Sequence, residues 1–151
     1  MRVVVPFQRL HPVTKKVVDY YRPEYVHLED DDGYRLLMQR LWREREPVII
    51  IEQDIVPWPY AVEELWRCSC SWGSYSYQLH GGIGIVHGFG CCKLTTILMD
   101  AVPNVWDEPE RWDVLDQRLF FAAREVGLEP HRHRPDVTHL NERHYNAPER
   151  H

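Results

Sequence analysis

Four consecutive β-branched residues, Val48-Ile49-Ile50-Ile51, run straight into Glu52-Gln53-Asp54. Side chains of this kind are stiff at χ1; four in a row disfavour a helix and favour a strand. The run is continuous rather than alternating, the pattern of a strand covered on both faces in the middle of a parallel α/β sheet. Two acids then fall at its carboxyl end, the edge at which open α/β sheets bind ligands. Acids one residue apart at such a place can hold a divalent cation and, through it, a phosphate. The plainer reading is that Glu52 and Asp54 close a strand and open a turn enforced by Pro57 and Pro59.

The flanking chain alternates strands and helices. Arg2 to Phe7 reads as a first buried strand whose pairing Pro6 ends. Thr14 is placed to cap a short helix bearing Val17, Val18 and Tyr21 on one face. Tyr25 to Leu28 is a second strand, closed by the acidic run Glu29-Asp30-Asp31-Asp32. That run reads either as a solvated turn before a helix or as the place where an acid meets a ribose hydroxyl. Tyr34, Leu37, Met38, Leu41 and Trp42 recur at helical spacing, which predicts an amphipathic helix up to Glu46 with Arg35, Arg40, Arg43 and Glu44 in water. Strand, helix, strand, helix, strand is the order of parallel crossovers.

Beyond Pro59 a short helix carries Ala61, Val62, Leu65 and Trp66. Ser71 to Leu79 alternates aromatic and small polar residues, the period of a half-buried strand in a hairpin or at an edge. Gly81, Gly82, Gly84, Gly88 and Gly90 fit neither a dinucleotide fingerprint nor a P-loop; they read as tight turns and room for a ligand to approach the backbone. His80 and His87 among them read as polar surface. Phe89 to Lys93 leads into a helix with Leu94, Ile97, Leu98 and Ala101 on one side. Asp113 is placed to cap a helix running to Val126 with Leu115, Leu119, Ala122, Ala123 and Val126 as its apolar stripe, and Gly127 stops it. Residues 1–140 form one domain and 141–151 a polar tail.

A chain of 151 residues, 44% hydrophobic and with a net charge of -5, is a folded domain rather than a disordered segment or a mainly electrostatic nucleic-acid binder. No run of apolar residues is long enough to span a bilayer, so no membrane contact and a cytoplasmic location are expected. Cys68 and Cys70 form C-x-C and Cys91 and Cys92 form C-C, neither with zinc-knuckle spacing; buried or free thiols are the expectation rather than a structural zinc site.

The order of elements from Gly88 to His139 resembles the distal half of nucleotide-sugar-dependent glycosyltransferases of the GT-A fold. A glycine-bearing turn (Gly88-Phe89-Gly90), an acid at a helix start followed by Arg (Leu115-Asp116-Gln117-Arg118), Gly127, and Pro135-Asp136-Val137-Thr138-His139 follow one another as in that family. Glu52-Gln53-Asp54 resembles its acidic D-x-D metal motif. The chain departs from the family in placing Glu first in that motif, in placing Leu before Asp116 where many inverting members carry an acid, and in its short length.

The resemblance implies a single-domain α/β fold, GT-A-like, with a mainly parallel central sheet flanked by helices. It implies that Asp54 and His139, with Glu52, bind Mn²⁺ or Mg²⁺ with the diphosphate of a UDP- or GDP-linked sugar, Glu52 lying near the ribose or a metal-bound water. Pro6, Phe7, Glu29, Asp30 and Gln53 would line the donor nucleotide, and Trp72, Tyr75, Gly88, Phe89 and Gly90 the acceptor. Asp116 would be the general base of an inverting transfer to an acceptor hydroxyl. Apart from the resemblance, so small an enzyme with a minimal acceptor region is expected to act on a large acceptor that supplies its own surface, such as a protein or modified DNA. Other roles stay open: Asp116 can complete a capping box with Asp113, and His139 can be a core-edge residue. His131 and His133, spaced as H-x-H, rival His139 as ligands. A metal-dependent phosphoryl hydrolase or nuclease built on these acids and histidines, or a non-catalytic nucleotide-sugar-binding module, are the alternatives.

Overall fold

In the computed structural model, which describes residues 1–79 and 82–140, the chain forms ten strands and five α-helices. His80, Gly81 and the expected tail 141–151 lie outside the described residues. In chain order they are β1 (Val3–Phe7), α1 (Pro12–Val18), β2 (Glu24–His27), α2 (Gly33–Glu44), β3 (Val48–Ile51), β4 (Ile55–Val56), α3 (Ala61–Arg67) and β5 (Trp72–Tyr75). There follow β6 (Tyr77–Gln78), β7 (Gly84–Ile85), β8 (Cys91–Leu94), α4 (Thr96–Ala101), α5 (Leu115–Glu125), β9 (His131–His133) and β10 (Thr138–His139).

Six strands make the central sheet in the order β2-β1-β3-β8-β5-β9. β1 pairs in parallel with β2 and β3, and β5 with β9, while β8 runs antiparallel to both its neighbours. The sheet is therefore mostly parallel with one reversed strand. β3 is interior and all four of its residues are buried. Val48 and Ile50 enter a core with α2, α4 and α5. Ile49 and Ile51 enter a second core with α1 and α3 on the opposite face. Double-sided burial is what a continuous β-branched run is suited to, and each such side chain contributes about 1.5–3 kcal/mol.

Several local expectations need correction. β1 continues to pair through Phe7, with Pro6 opposite Val26 and Phe7 opposite His27, so Pro6 does not end the ladder. α1 is capped by His11, whose Nδ1 accepts from Val13 N–H at 3.1 Å, and Thr14 is buried inside the helix. α2 has the expected apolar face, but Arg35 on it is buried rather than solvated. Its guanidinium donates to both carboxylate oxygens of Asp32 and, through Nη1, to the Trp106 carbonyl at 2.8 Å. Cys91 to Leu94 is the reversed strand β8, not the start of a helix, and Ile97 on the short α4 points to solvent.

β5 is an interior strand buried along its whole length, neither half-exposed nor at an edge. α5 buries Leu115, Leu119 and Ala123, whereas Val126 is exposed beyond its end. Asp113 does not cap it; its carboxylate pairs with Arg111 in the preceding 3₁₀ turn. Gly127, at φ +79°, takes the left-handed conformation expected of a stop signal. Among the described residues no helix is long and apolar enough to cross a membrane.

Candidate active site at the carboxyl edge of the sheet

The chain leaves β3 at Glu52, turns, and enters β4. The Ile55 N–H donates to the Glu52 carbonyl at 3.1 Å, which puts Asp54 in a tight bend at the strand end. β4 pairs antiparallel with β10, His139 opposite Ile55, and Leu140 N–H donates to the Asp54 carbonyl at 3.0 Å. This two-residue ladder carries His139 back across 85 positions of sequence to Asp54. Its Nε2 lies 3.1 Å from Asp54 Oδ2, both side chains being largely buried.

The His139 ring is supported from behind by Tyr77, stacked at 5.7 Å between centroids and 25° between planes. Tyr77 in turn lies against the backbone of Gly88 and Gly90. A Cβ at Gly88 would stand 2.3 Å from the Tyr77 Oη, and one at Gly90 2.4 Å from its Cε1. The glycines do permit a close approach, but it is that of the Tyr77 ring, not of a ligand.

Glu52 lies on the α2 side of the bend and accepts a hydrogen bond from Tyr34 Oη at 2.7 Å. Burial pushes its carboxyl up to about 7 in spite of that bond, and the negative charges of Asp54 and Asp116 push the same way while His139 opposes them. Asp116 sits in the first turn of α5, where its Oδ1 accepts from the Gln117 N–H at 2.8 Å. Its carboxyl is raised by burial, an effect that the Gln117 bond and nearby His87 limit. Tyr77 is raised as well, by its burial and then by the charges of Glu52, Asp116 and Asp54. Three carboxylates thus converge on one ring from two separated stretches of chain, the bend after β3 and the first turn of α5. Perturbed acids gathered at a sheet edge are a mark of functional sites.

His87, read from sequence as surface, belongs to the same neighbourhood. It stacks on Phe120 of α5 at 4.0 Å and 11°, and burial lowers its basicity while Asp116 raises it. Nothing in the glycine-rich sequence around His87 marks it out.

The other expected site residues are placed as follows. Gln53 Oε1 accepts from the backbone N–H groups of Gln8 and Arg9 at 2.8 and 2.9 Å, which ties the loop after β1 to the bend. Phe7 packs edge-on against Tyr25 and His27, with Pro6 buried beside it. Glu29 is exposed next to His27, and Asp30 accepts from the Asp32 N–H in the turn before α2. Pro6 and Phe7 end β1, Glu29 and Asp30 follow β2, and Gln53 follows β3, so all lie toward the same edge as Glu52.

The expected acceptor surface is not there. Trp72 and Tyr75 are fully buried, and the Tyr75 hydroxyl donates to the Ala61 carbonyl at 3.2 Å. Phe89 is core between Tyr34 and Trp106, and Gly88 and Gly90 are covered. With both faces of the sheet clad by helices, the aromatic residues of β5 have no route to solvent.

His131 and His133 gather with Cys68 and Cys70 rather than with His139. This separates the two histidine groups that a hydrolase reading combines, and all four cysteines are free thiols, as expected. Cys91 and Cys92 are buried strand residues, one in each core.

For a divalent ion, Asp54 offers a hard oxygen and His139 an imidazole nitrogen as adjacent donors, which suits Mn²⁺ or Mg²⁺ when substrate phosphates complete the shell. Among the described residues no third His, Cys, Asp or Glu donor joins them in a tight group.

A mostly parallel sheet clad by helices, with an acid and histidine cluster at its carboxyl edge, defines an α/β protein with a polar site at the usual ligand position. Neither a family profile nor a curated protein matches the sequence. Solved structures do share the fold. A glycosyltransferase involved in the glycosylation of the major capsid of PBCV-1 is similar at a TM-score of 0.58 and 10% identity, over 99% of this chain and 98% of that one. A197 from STIV is similar at a TM-score of 0.52 and 13% identity, over 66% of this chain and 68% of that one. At such identities the likeness is one of fold.

Proposed function

We propose that the protein is a compact GT-A-like glycosyltransferase that moves a sugar from a UDP- or GDP-linked donor to an acceptor hydroxyl. The observation that carries this reading is the meeting of Asp54 and His139 at 3.1 Å beside Glu52 and Asp116, at the carboxyl edge of a sheet whose fold a glycosyltransferase shares. Asp54 and His139 would hold Mn²⁺ or Mg²⁺, and such an ion would supply positive charge to stabilise the departing diphosphate. Asp116, a carboxylate made more basic by burial, takes the proton from the acceptor hydroxyl. As that oxygen bonds to the anomeric carbon, the bond from the carbon to the diphosphate breaks and its electron pair leaves with the nucleotide. The product is inverted. Glu52, held by Tyr34, faces the donor, and the loop that Gln53 fixes after β1 lies on its nucleotide side.

The buried state of Trp72, Tyr75 and Phe89 leaves no aromatic platform among them for a small sugar acceptor. An acceptor that brings its own surface, such as a protein, fits this arrangement best. The test is release of nucleoside diphosphate from UDP- and GDP-sugars with Mn²⁺, using Asp116→Asn. Loss of a general base costs about 10²–10⁴-fold in turnover, and nucleotide binding is expected to be retained. Turnover undiminished in Asp116→Asn contradicts the assignment.

A further inference from the structure

Cys68 caps the end of α3 and Cys70 follows in the short turn into β5. β5 pairs in parallel with the edge strand β9, Gly73 opposite His131 and Tyr75 opposite His133. This pairing brings C-x-C and H-x-H together across 61 positions of sequence. His131 and His133, two apart on a strand, share one side of it, and their rings lie 4.5 Å apart. Arg132 points the other way, to Ser76 Oγ at 2.6 Å.

One donor atom from each of the four residues lies within 4.8 Å of all the others. Cys68 Sγ is 3.2 Å from His131 Nδ1. His133 is 7% exposed, and its Nε2 has no hydrogen-bond partner. A buried imidazole nitrogen without a partner is costly unless something binds it. Gly73 keeps the space between the donors open, since a Cβ there would stand 3.0 Å from Cys70 Sγ and 3.2 Å from His133 Nε2. Lys93 Nζ donates to the carbonyls of Trp66 and Cys68 at 2.9 and 2.5 Å, which fixes the turn that presents the thiols. A cavity lined by Tyr60, Glu63, Glu64 and Arg67 opens onto Cys68 and His133 and gives an ion a way in.

We propose that Cys68, Cys70, His131 and His133 bind one Zn²⁺ in a closed tetrahedral site that staples the edge strand β9 to the end of α3. Two thiolates and two imidazoles are the donor set zinc favours. Tetrahedral bonds of zinc to sulfur and nitrogen place the donors about 3.3–3.8 Å apart; Cys68 Sγ and His131 Nδ1 already stand that close, and the widest separations need to close by no more than about an ångström. Two thiols give up their protons as the ion enters, and the two positive charges of zinc balance the two thiolates. With four protein ligands no position is open to substrate, and the site is structural. It is separate from the Asp54 and His139 pair and does not depend on the proposed transferase activity.

The test is metal analysis of the whole purified chain, followed by exchange of the ion for Co²⁺. The expected result is one zinc per chain and a cobalt spectrum with thiolate charge transfer and the strong visible bands of tetrahedral coordination. His131→Asn alters an exposed residue and should weaken zinc binding at least tenfold in chelator competition. Cys68→Ser with Cys70→Ser should abolish the charge-transfer band, while Asp54→Asn should leave zinc content unchanged. Zinc retained undiminished in His131→Asn, a cobalt spectrum without thiolate bands, or a chain that takes up no zinc while its thiols are reduced would overturn the proposal.

Discussion

The space above Gly90 is filled by Tyr77, and a methyl group there should be felt at the candidate metal pair. A Cβ at Gly90 stands 2.4 Å from Tyr77 Cε1, 2.9 Å from its Cζ and 3.0 Å from Ile55 Cδ1. Carbon atoms prefer about 3.5–4.0 Å, so the ring must retreat by about an ångström. It has little room, being buried and stacked on His139. Overpacking of this kind costs about 1–3 kcal/mol. At the middle of that range, a domain of this size loses roughly 4–8 °C in Tm. Gly90→Ala should therefore lower the urea midpoint and also weaken Mn²⁺ binding, because His139 moves with Tyr77. The cause can be isolated with Tyr77→Leu, which removes the atoms in the way. In that background Gly90→Ala should cost close to nothing, giving a coupling energy of about 2 kcal/mol in a double-mutant cycle. Equal costs in the two backgrounds would refute the placement of Tyr77 against the glycine backbone.

Glu52→Gln keeps an acceptor for Tyr34 and removes a charge that burial disfavours. The wild-type carboxyl is raised in the folded chain to about 7, so the folded state holds a proton that the unfolded chain has lost, and stability falls as pH rises from the ordinary carboxylate range through 7. Glu52→Gln should match wild type near pH 4 and exceed it by about 2–3 kcal/mol at pH 8 without added divalent ions, read by urea titration at both pH values. A difference that does not change with pH contradicts this. Ile50→Ala empties a fully buried position facing α2 and should cost about 2–5 kcal/mol by the same titration. Arg35→Leu leaves the Trp106 carbonyl without its donor and should cost about 1–3 kcal/mol, whereas an unchanged midpoint would place Arg35 in solvent.

The centre of the fold is legible because one run of residues states it. Val48 to Ile51 has to be buried on both faces, and the two cores receive alternate members of the run. The acids that follow it are legible for the same reason, as the next residues along a strand whose direction fixes its carboxyl edge. β8 is not legible: Cys91-Cys92-Lys93-Leu94 lacks the β-branched signature, and the Lys93 ammonium finds its partners in the carbonyls of Trp66 and Cys68, 27 and 25 positions earlier in the sequence. The small residues of β5 misdirect in a similar way. Gly73 and Ser74 look like an exposed face, but Leu65 and the Gly88 carbonyl pack against them. The two clusters of ligating side chains depend on pairings between very short strands, β4 with β10 and β5 with β9. Two to four residues carry too little periodicity to announce a partner 58 to 84 positions away.

Asp54 and His139 are proposed to act together on a metal-bound nucleoside diphosphate. The most direct measurement is a thermal-shift titration of UDP and GDP, with and without Mn²⁺, on wild type and Asp54→Asn. At a hundred times its dissociation constant a ligand of the folded state adds about 2.7 kcal/mol, a rise of roughly 5–10 °C in Tm. That rise is expected for one of the two diphosphates, only with Mn²⁺ and only with Asp54 intact. An equal rise in Asp54→Asn, or none with either nucleotide in the presence of Mn²⁺, would contradict it.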